Sequence, residues 1–328
     1  MTLIIDKKLP AYTYLEREQV LEMPTDEAEK QDIRPMEVGI LNLMPSAVVE
    51  RTEVQHLRLL ANTPLQIRPT FIYFDTHKSR SKQDHFNEFY KTISEVKKAG
   101  LDGLILTGAN LEDRAFEDVL YWKELVALMD WAHESVTSTI YSCWSAQAKL
   151  YQKYGIPPHK YQKKVFGIFE HQVLHKRGSP FLAGMDDEVL IPQSRWRGAE
   201  SKDFAGRDEF EILIESKDAG PIGSISAGQA TKSADSPVVG PHMVAGRGGR
   251  EIYVQGHPEY SRNDIADEYF RDKSAGIEIN TPRNYFPGGD ETKTPMRNWS
   301  ANGQVFYSNW INWVYRTTNV DVKKPLMD

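Results

Sequence analysis

Short, nearly continuous runs of apolar residues mark the first half of the chain, and each run ends in turn-forming residues. They lie at residues 36–43, 71–74 and 103–106, and a β-branched run follows at 136–141. Strands buried on both faces of a parallel sheet have this composition, because helices cover both of their sides. We therefore predict four strands of such a sheet.

Segments with apolar residues at helical spacing separate these runs. They lie at residues 52–61, 85–98 and 116–133, and we predict one helix for each of them. Strand and helix thus alternate along the chain. This alternation predicts an α/β fold with a doubly wound, mostly parallel sheet and helices on both faces.

The second half of the chain is less regular. Residues 216–250 are dense in Gly, Ser and Pro, which predicts a flexible insertion, and a strand at 251–255 and a helix at 263–274 follow it. We expect a single domain over residues 1–328, with an N-terminal extension at 1–35. Aromatic side chains near the C-terminus predict a packed terminal element; they are Trp299, Phe306, Trp310, Trp313 and Tyr315.

The composition excludes several classes of protein. The formal charge of −6 shows no excess of basic residues, so nucleic acid and anionic membrane surfaces are not expected as partners. The longest apolar runs reach roughly eight residues, far below the ~20 of a membrane-spanning helix, and the N-terminus shows no signal-peptide pattern. A single cysteine excludes an intramolecular disulfide and a multi-cysteine metal site. We expect a cytoplasmic protein that acts on small molecules and binds no metal.

The one cysteine, Cys143, lies where the β-branched run gives way to a helical pattern that starts at Trp144. A lone cysteine is commonly a buried, inert thiol. A strand-to-helix turn, however, raises its side chain above the carboxyl edge of a parallel sheet, where such folds bind ligands. The helix N-terminus also favours the thiolate. We predict that Cys143 is a nucleophile and that the Trp144 N–H stabilises an oxyanion.

A cysteine nucleophile needs a base, and His257 stands out among the nine histidines. It ends the predicted strand at 251–255, and Glu259 follows two residues later, so both side chains point to one face of an extended backbone. Glu259 can then orient the imidazole and stabilise its charge. A surface histidine at a strand end is the alternative interpretation. Together with Cys143, the pattern predicts a Cys-His-Glu triad.

Many segments of the chain, in matching order, resemble the homoserine O-acyltransferases of methionine biosynthesis. That family includes O-succinyltransferases and O-acetyltransferases and has a class I glutamine amidotransferase-like, flavodoxin-like fold. The resemblance covers nearly the whole chain. Its segments are LNLMP at 41–45, TGA at 107–109, FEDV at 116–119, CW at 143–144, AQA at 146–148, EH at 170–171, GHPEY at 256–260, FRD at 270–272, NYFP at 284–287 and SNW at 308–310.

The resemblance implies a reaction through an acyl-thioester. It makes Cys143 the nucleophile, His257 the general base and Glu259 its partner, without a permanently bound cofactor. In the family, glutamate at the position of Glu112 goes with acetyl-CoA and glycine with succinyl-CoA. A carboxylate there would repel the free carboxylate of a succinyl group. We expect acetyl-CoA as co-substrate, with succinyl transfer as an alternative.

The resemblance also implies substrate contacts. Lys164 matches a substrate-contacting lysine, Ser194 matches a serine of the substrate pocket, and Arg271 matches the arginine that holds the carboxylate of the amino acid. An arginine suits that task because its guanidinium grips a carboxylate with two hydrogen bonds.

Departures from the family pattern concern the acceptor. Gln193 and Trp196 flank Ser194 where other residues are usual, and Ser46-Ala47 stand where a lysine is common. If Trp196 shortens the pocket, L-serine becomes a close alternative to L-homoserine, because one methylene supplies only ~1–3 kcal/mol of discrimination. Serine acetylation would belong to cysteine biosynthesis.

Functions of other classes also stay open. Glutamine amidotransferases share the fold and the triad and release ammonia for a partner synthase, and a noncatalytic ligand-binding module is a further alternative. For the assembly, we name a homodimer as one candidate.

Overall fold

The computed structural model describes residues 3–20, 22–31, 33–76, 81–111, 114–174, 179–217 and 239–318. Within them, strands join into one twelve-stranded sheet. The strands are β1 (Leu3–Ile5), β2 (Glu22–Pro24), β3 (Met36–Leu41), β4 (Ile67–Tyr73), β5 (Tyr90–Thr92), β6 (Gly103–Leu106), β7 (Ser138–Ser142), β8 (His159–Val173), β9 (Glu188–Gly198), β10 (Phe210–Ser216), β11 (Pro241–Gly246) and β12 (Glu251–Val254).

Helices connect many of these strands and cover the sheet. They are α1 (Pro10–Arg17), α2 (Thr25–Ala28), α3 (Val49–Leu60), α4 (Gln83–Phe89), α5 (Ile93–Ala99), α6 (Trp122–Ser135), α7 (Trp144–Tyr154), α8 (Asp264–Ser274) and α9 (Ser300–Thr317). Five short 3₁₀ helices lie at Phe116–Asp118, Pro180–Leu182, Ser201–Phe204, Arg247–Gly249 and Pro287–Gly289.

The parallel half of the sheet has the order β2-β1-β4-β3-β6-β7-β12. The run β4-β3-β6-β7-β12 follows the flavodoxin-like order 2-1-3-4-5 when its strands are numbered along the chain. Alternate side chains of β6 point to opposite faces: Ile105 packs with α3 and α9, whereas Leu104 and Leu106 pack with α5, α6 and α7. The predicted doubly wound, mostly parallel sheet with helices on both faces is confirmed.

An antiparallel half continues the sheet beyond β12, in the order β12-β11-β10-β8-β9. Its long β8–β9 hairpin carries a separate apolar cluster, in which Phe166 and Ile168 pack with Ile265 and Tyr269 of α8 and with Trp299. This packing sets α8 over the hairpin. The chain after β12 therefore passes from the parallel half of the sheet onto the antiparallel half.

Two predicted helices are interrupted. The segment 85–98 contains β5, which pairs with β4 and divides α4 from α5. Thr92 ends β5 and caps α5, because its hydroxyl accepts a hydrogen bond from the Glu95 N–H at 3.2 Å. The segment 116–133 begins as a 3₁₀ turn, and its α-helix starts at Trp122. The prediction of a single helix for each of these two segments was therefore wrong. Local capping and strand pairing override the periodicity of the apolar residues.

Both ends of the predicted insertion belong to the sheet. Residue 216 ends β10, and residues 241–246, which we assigned to the insertion, form β11 between β10 and β12. Residues 218–238 lie outside the described residues. The first 35 residues, expected as an extension, add β1 and β2 to the sheet, and β1 pairs with β4.

The aromatic C-terminal segment packs as α9. The indole N–H of Trp310 donates to the Ser138 hydroxyl at 2.9 Å, and a Cβ at Gly103 would lie 2.7 Å from the Trp310 ring. Tyr315, in contrast, is exposed. No helix among the described residues is long and apolar enough to cross a membrane.

Candidate active site

Cys143 stands at the turn between β7 and α7 in a backbone conformation that is rare for a residue with a side chain. Its φ of 48° and ψ of −108° carry a strain of about 1–3 kcal/mol. The Cys143 N–H donates to the Val254 carbonyl at 2.7 Å, and the Ser142 N–H donates to the Ser145 hydroxyl at 2.9 Å. The Ser145 hydroxyl also contacts the Leu106 carbonyl at 2.9 Å. These bonds join the ends of β6, β7 and β12 to the start of α7.

His257 follows β12, which pairs in parallel with β7, so it meets Cys143 at the carboxyl edge of the sheet. Its Nδ1 lies 2.7 Å from Oε1 of Glu259, and its side chain lines the same recess as Cys143. Because Nδ1 contacts Glu259, Nε2 is the nitrogen left for Cys143. The His257 N–H donates to the Pro192 carbonyl at 2.9 Å, and the imidazole stacks on Tyr260 at 4.2 Å between ring centres. The side chains of Cys143, His257 and Glu259 form the predicted constellation, called the triad below.

Burial disfavours the charged forms of His257 and Glu259, but the contacts within the triad outweigh this effect. Burial alone would lower the pKa of His257, yet the charges of Glu259 and Cys143 and the hydrogen bond to Glu259 raise it well above its ordinary value. Burial would raise the pKa of Glu259, yet the charge of His257 and their hydrogen bond hold it below its ordinary value. His257 is therefore a strong base held against an ionised carboxylate.

A recess of about 50 Å³ opens above the triad. The Ser194 side chain lines it, and its hydroxyl donates to the Glu268 carboxylate at 2.7 Å. The Lys164 ammonium also contacts Glu268, at 2.7 Å, and approaches Asp272 at 3.3 Å. Lys164, predicted as a substrate contact, is thus buried and paired with two carboxylates at the edge of the recess.

Arg271 and Trp196 do not line this recess. The Arg271 guanidinium lies 2.6 Å from Asp272 and 3.6 Å from Glu268, and 58% of its side chain is exposed. Trp196 lines a second cavity beside the recess. The expectation that its ring shortens the acceptor pocket does not follow from this placement, because the ring lies beyond Ser194 along β9.

Trp144 is the first residue of α7. Its N–H has no acceptor within the helix, because the first N–H groups of any helix lack an intrahelical partner. The indole is buried against the Phe116 ring, with 5.5 Å between ring centres. This packing fixes the residue whose N–H was predicted to stabilise an oxyanion beside Cys143.

The remaining predicted determinant, Glu112, lies outside the described residues. Among the residues that are described, no group of His, Cys, Asp and Glu has the arrangement of a metal site.

The residues of the recess that were not predicted from the sequence include His56, Gly108, Tyr260 and Glu268. A Cβ at Gly108 would lie 3.4 Å from that of Cys143, so glycine keeps space open beside the nucleophile. Glu268 lies three residues before Arg271 on one helix, and this spacing was an available signal. His56 offered no such signal, since it lies among both apolar and polar residues of α3. Burial lowers its pKa and keeps it neutral.

Comparison of the sequence with known proteins finds relatives that match nearly the whole chain. The family model described as homoserine O-succinyltransferase matches residues 2–234 and 229–320. A homoserine O-acetyltransferase of Clostridium acetobutylicum is 41% identical over 320 residues, covering 97% of this chain and 99% of the relative. A homoserine O-acetyltransferase of Thermotoga petrophila is 40% identical, with 97% of each chain covered.

Among solved structures, SMU.1228c is similar with a TM-score of 0.51 and 13% identity, over 85% of this chain and 99% of that one. At this identity the likeness concerns the fold alone. The family match and the relatives each span nearly all of the chain. The protein belongs to the homoserine O-succinyltransferase family.

Proposed function

We propose that this protein transfers an acetyl group from acetyl-CoA, through acetyl-Cys143, to the hydroxyl of L-homoserine. The observation that carries the proposal is the triad: a strained cysteine shares one recess with a histidine that is paired with a buried carboxylate. Relatives at about 40% identity are named homoserine O-acetyltransferases, which supports acetyl as the group transferred. The product would be O-acetylhomoserine, for methionine biosynthesis.

In the first half-reaction the Cys143 thiolate attacks the carbonyl carbon of acetyl-CoA. The Trp144 N–H donates to the oxyanion that forms. The C–S bond to CoA then breaks, and protonated His257 gives its proton to the departing thiolate. Cys143 is left as an acetyl-thioester, and free CoA leaves the site.

In the second half-reaction the acceptor hydroxyl attacks that thioester. Nε2 of His257 takes the hydroxyl proton as the new C–O bond forms, and the Cys143 thiolate is released. Glu259 stays ionised and holds Nδ1, so the imidazole carries its proton without turning. The same histidine is therefore acid in one half-reaction and base in the other.

The acceptor is held by groups at the edge of the recess. Ser194 and Lys164 both contact Glu268, so a zwitterionic amino acid meets a carboxylate for its ammonium and a lysine for its carboxylate. Arg271 lies 3.6 Å from Glu268 and can exchange Asp272 for the substrate carboxylate by a side-chain rotation. Each of these roles is part of the proposal.

L-Serine is the second candidate acceptor. The recess above Cys143 is small, about 50 Å³. Serine is one methylene shorter than homoserine and carries the same ammonium and carboxylate. Discrimination by one methylene is worth only about 1–3 kcal/mol, so modest changes of shape decide between the two.

An assay with two donors and two acceptors tests the proposal. Purified protein is given acetyl-CoA or succinyl-CoA with L-homoserine or L-serine, and free CoA and the acylated amino acid are measured. We expect the highest kcat/KM for acetyl-CoA with L-homoserine and no turnover by Cys143→Ala. Ammonia release from glutamine, with no acyl transfer, would instead support an amidotransferase.

The proposal also covers the cellular location and the oligomeric state of the protein. Because its substrates are CoA thioesters and free amino acids, we place the enzyme in the cytoplasm. A homodimer stays a prediction, which the mass of the purified protein in solution tests.

A further inference from the structure

A second and larger cavity adjoins the recess. It measures about 500 Å³, against about 50 Å³ for the recess above the triad. One wall is the β8–β9 hairpin, and the other is the segment 278–283 that follows α8. The proposed reaction through the triad leaves this volume without a role.

The wall formed by the segment 278–283 is fastened to β8. The Arg283 N–H donates to the Phe166 carbonyl at 3.0 Å, and the Ile168 N–H donates to the Arg283 carbonyl at 2.7 Å. Gly167, with φ of +122°, lies between these bonds, and a Cβ there would be 2.2 Å from the Arg283 nitrogen. Glycine at this position therefore allows the two walls to join by backbone hydrogen bonds.

Cationic and aromatic groups line the cavity. Lys163 and Arg283 contribute positive charges and Glu278 contributes one negative charge, whereas the charge of Lys164 is balanced by Glu268 and Asp272. The Arg283 guanidinium lies over the Phe169 ring at 5.2 Å, and the indole of Trp196 forms another part of the lining. Such a lining suits a ligand that carries both phosphate groups and a planar ring, since cations bind phosphate and indoles stack on aromatic bases.

The cavity and the recess share a boundary. Ser194 lines the recess and Trp196 lines the cavity, and both lie on one face of β9 about 7 Å apart. Lys164, in the cavity wall, binds Glu268, in the recess wall, at 2.7 Å. The cavity and the recess therefore meet at this ion pair, and the flexible arm of a ligand in the cavity would have to pass it, beside Ser194, to reach the triad.

We propose that this cavity binds the nucleotide end of the acyl-CoA, with its phosphates on Lys163 and Arg283 and its adenine against Trp196. This inference rests on the proposed function, because it assumes an acyl-CoA donor. An acyl-CoA has the phosphates, the planar base and the flexible pantetheine arm that the lining and the shared boundary require. The small amino acid acceptor needs none of this volume.

A donor without the nucleotide provides the test. Acetyl-CoA and S-acetylpantetheine are compared on wild type, Lys163→Ala, Arg283→Ala and Trp196→Ala, with adenosine 3′,5′-bisphosphate as a competing ligand. We expect each variant to raise KM for acetyl-CoA about ten-fold, the effect of losing one charge-assisted hydrogen bond or a stacked ring. Kinetics with S-acetylpantetheine should stay as in wild type, and the bisphosphate should inhibit the variants more weakly.

Lys160→Ala is the matched control, because Lys160 lies on β8 but does not line the cavity. Unchanged KM for acetyl-CoA in all three cavity variants would overturn the inference. A changed preference between homoserine and serine in Trp196→Ala, without a donor effect, would overturn it as well and return Trp196 to the acceptor. Failure of wild type to form an acetyl-enzyme from either donor would instead contradict the proposed function itself.

Discussion

Glu259 determines how His257 can act, since it is the carboxylate that holds the imidazole in buried surroundings. Its charge, together with that of Cys143, outweighs burial and keeps the pKa of His257 well above the ordinary value. A raised pKa stabilises the folded state fully below about pH 6.5, where unfolded histidine is protonated, and the stabilisation is lost as the pH rises through the folded pKa. The lowered pKa of Glu259 contributes above about pH 4.5 and is lost as the pH falls through its folded pKa.

Glu259→Gln should therefore reduce both stability and activity. The free energy of unfolding should fall most near pH 6, and the difference from wild type should shrink as the pH rises above 6.5. The rate of acyl transfer should fall about 10²-fold or more, because the imidazole loses the charge that stabilises its protonated form. Urea unfolding at several pH values measures the first effect. Glu134→Gln, at an exposed site on α6, is the control, and a pH-independent difference would count against the ion pair.

We predict that Glu112 influences the choice of donor through its charge and its size. Glu112→Gly should raise kcat/KM for succinyl-CoA relative to acetyl-CoA, because it removes a like charge and opens space for the succinyl carboxylate. The two donors are compared at a fixed acceptor concentration. An unchanged ratio of the two kcat/KM values would show that Glu112 does not determine which acyl group is transferred.

Among the elements, the turn between β7 and α7 depends on one hydroxyl. The Ser145 hydroxyl accepts from the Ser142 N–H and contacts the Leu106 carbonyl, so it links the turn to β6. Ser145→Ala leaves that buried N–H without its partner, which costs about 1–3 kcal/mol. We expect this loss of stability together with slower acylation of Cys143. Ser145→Thr, which keeps the hydroxyl, should retain more of both, and equal losses in the two variants would contradict the linking role.

The β8 strand depends on Gly167 in a comparable way. Gly167→Ala would place a Cβ 2.2 Å from the Arg283 backbone, in addition to the strain of its φ of +122°. Gly184 has φ of +77° and open space around its Cβ position, so Gly184→Ala measures the cost of the backbone angle alone. We expect Gly167→Ala to lower the melting temperature clearly more than Gly184→Ala does. Equal shifts would show that the segment after α8 moves away without cost.

At the scale of the whole molecule, the parallel half of the sheet was predictable only in its central part, β4-β3-β6-β7-β12, since β1 and β2 were expected as an extension. Its strands are apolar on both faces, and the turn at Cys143 and the His257–Glu259 spacing follow directly from such strands. Pairing between distant segments was not predictable from periodicity. β5 and β11 were therefore not predicted. Their residues pair with neighbouring strands through the backbone, and their apolar periodicity is too weak to indicate a strand.

The surroundings of the triad were harder to predict than the triad. Trp196 and Ser194 are two residues apart and share a face of β9, yet they line different cavities, since the position of α8 and the segment after it divides the space above the hairpin. That division arises from contacts such as Lys164–Glu268, which join residues far apart in the chain. Single-sequence patterns carry no information on such contacts.

Formation of an acetyl-enzyme at Cys143 is the central claim, and intact-protein mass spectrometry tests it most directly. Protein is incubated with acetyl-CoA in the absence of any amino acid, then digested to locate the modification. We expect wild type to gain one acetyl group on the peptide containing Cys143, to lose it on addition of L-homoserine or L-serine, and to release one equivalent of CoA. Cys143→Ala should gain none. Turnover of acetyl-CoA by Cys143→Ala at the rate of wild type, or an acetyl group on another residue, would contradict the account.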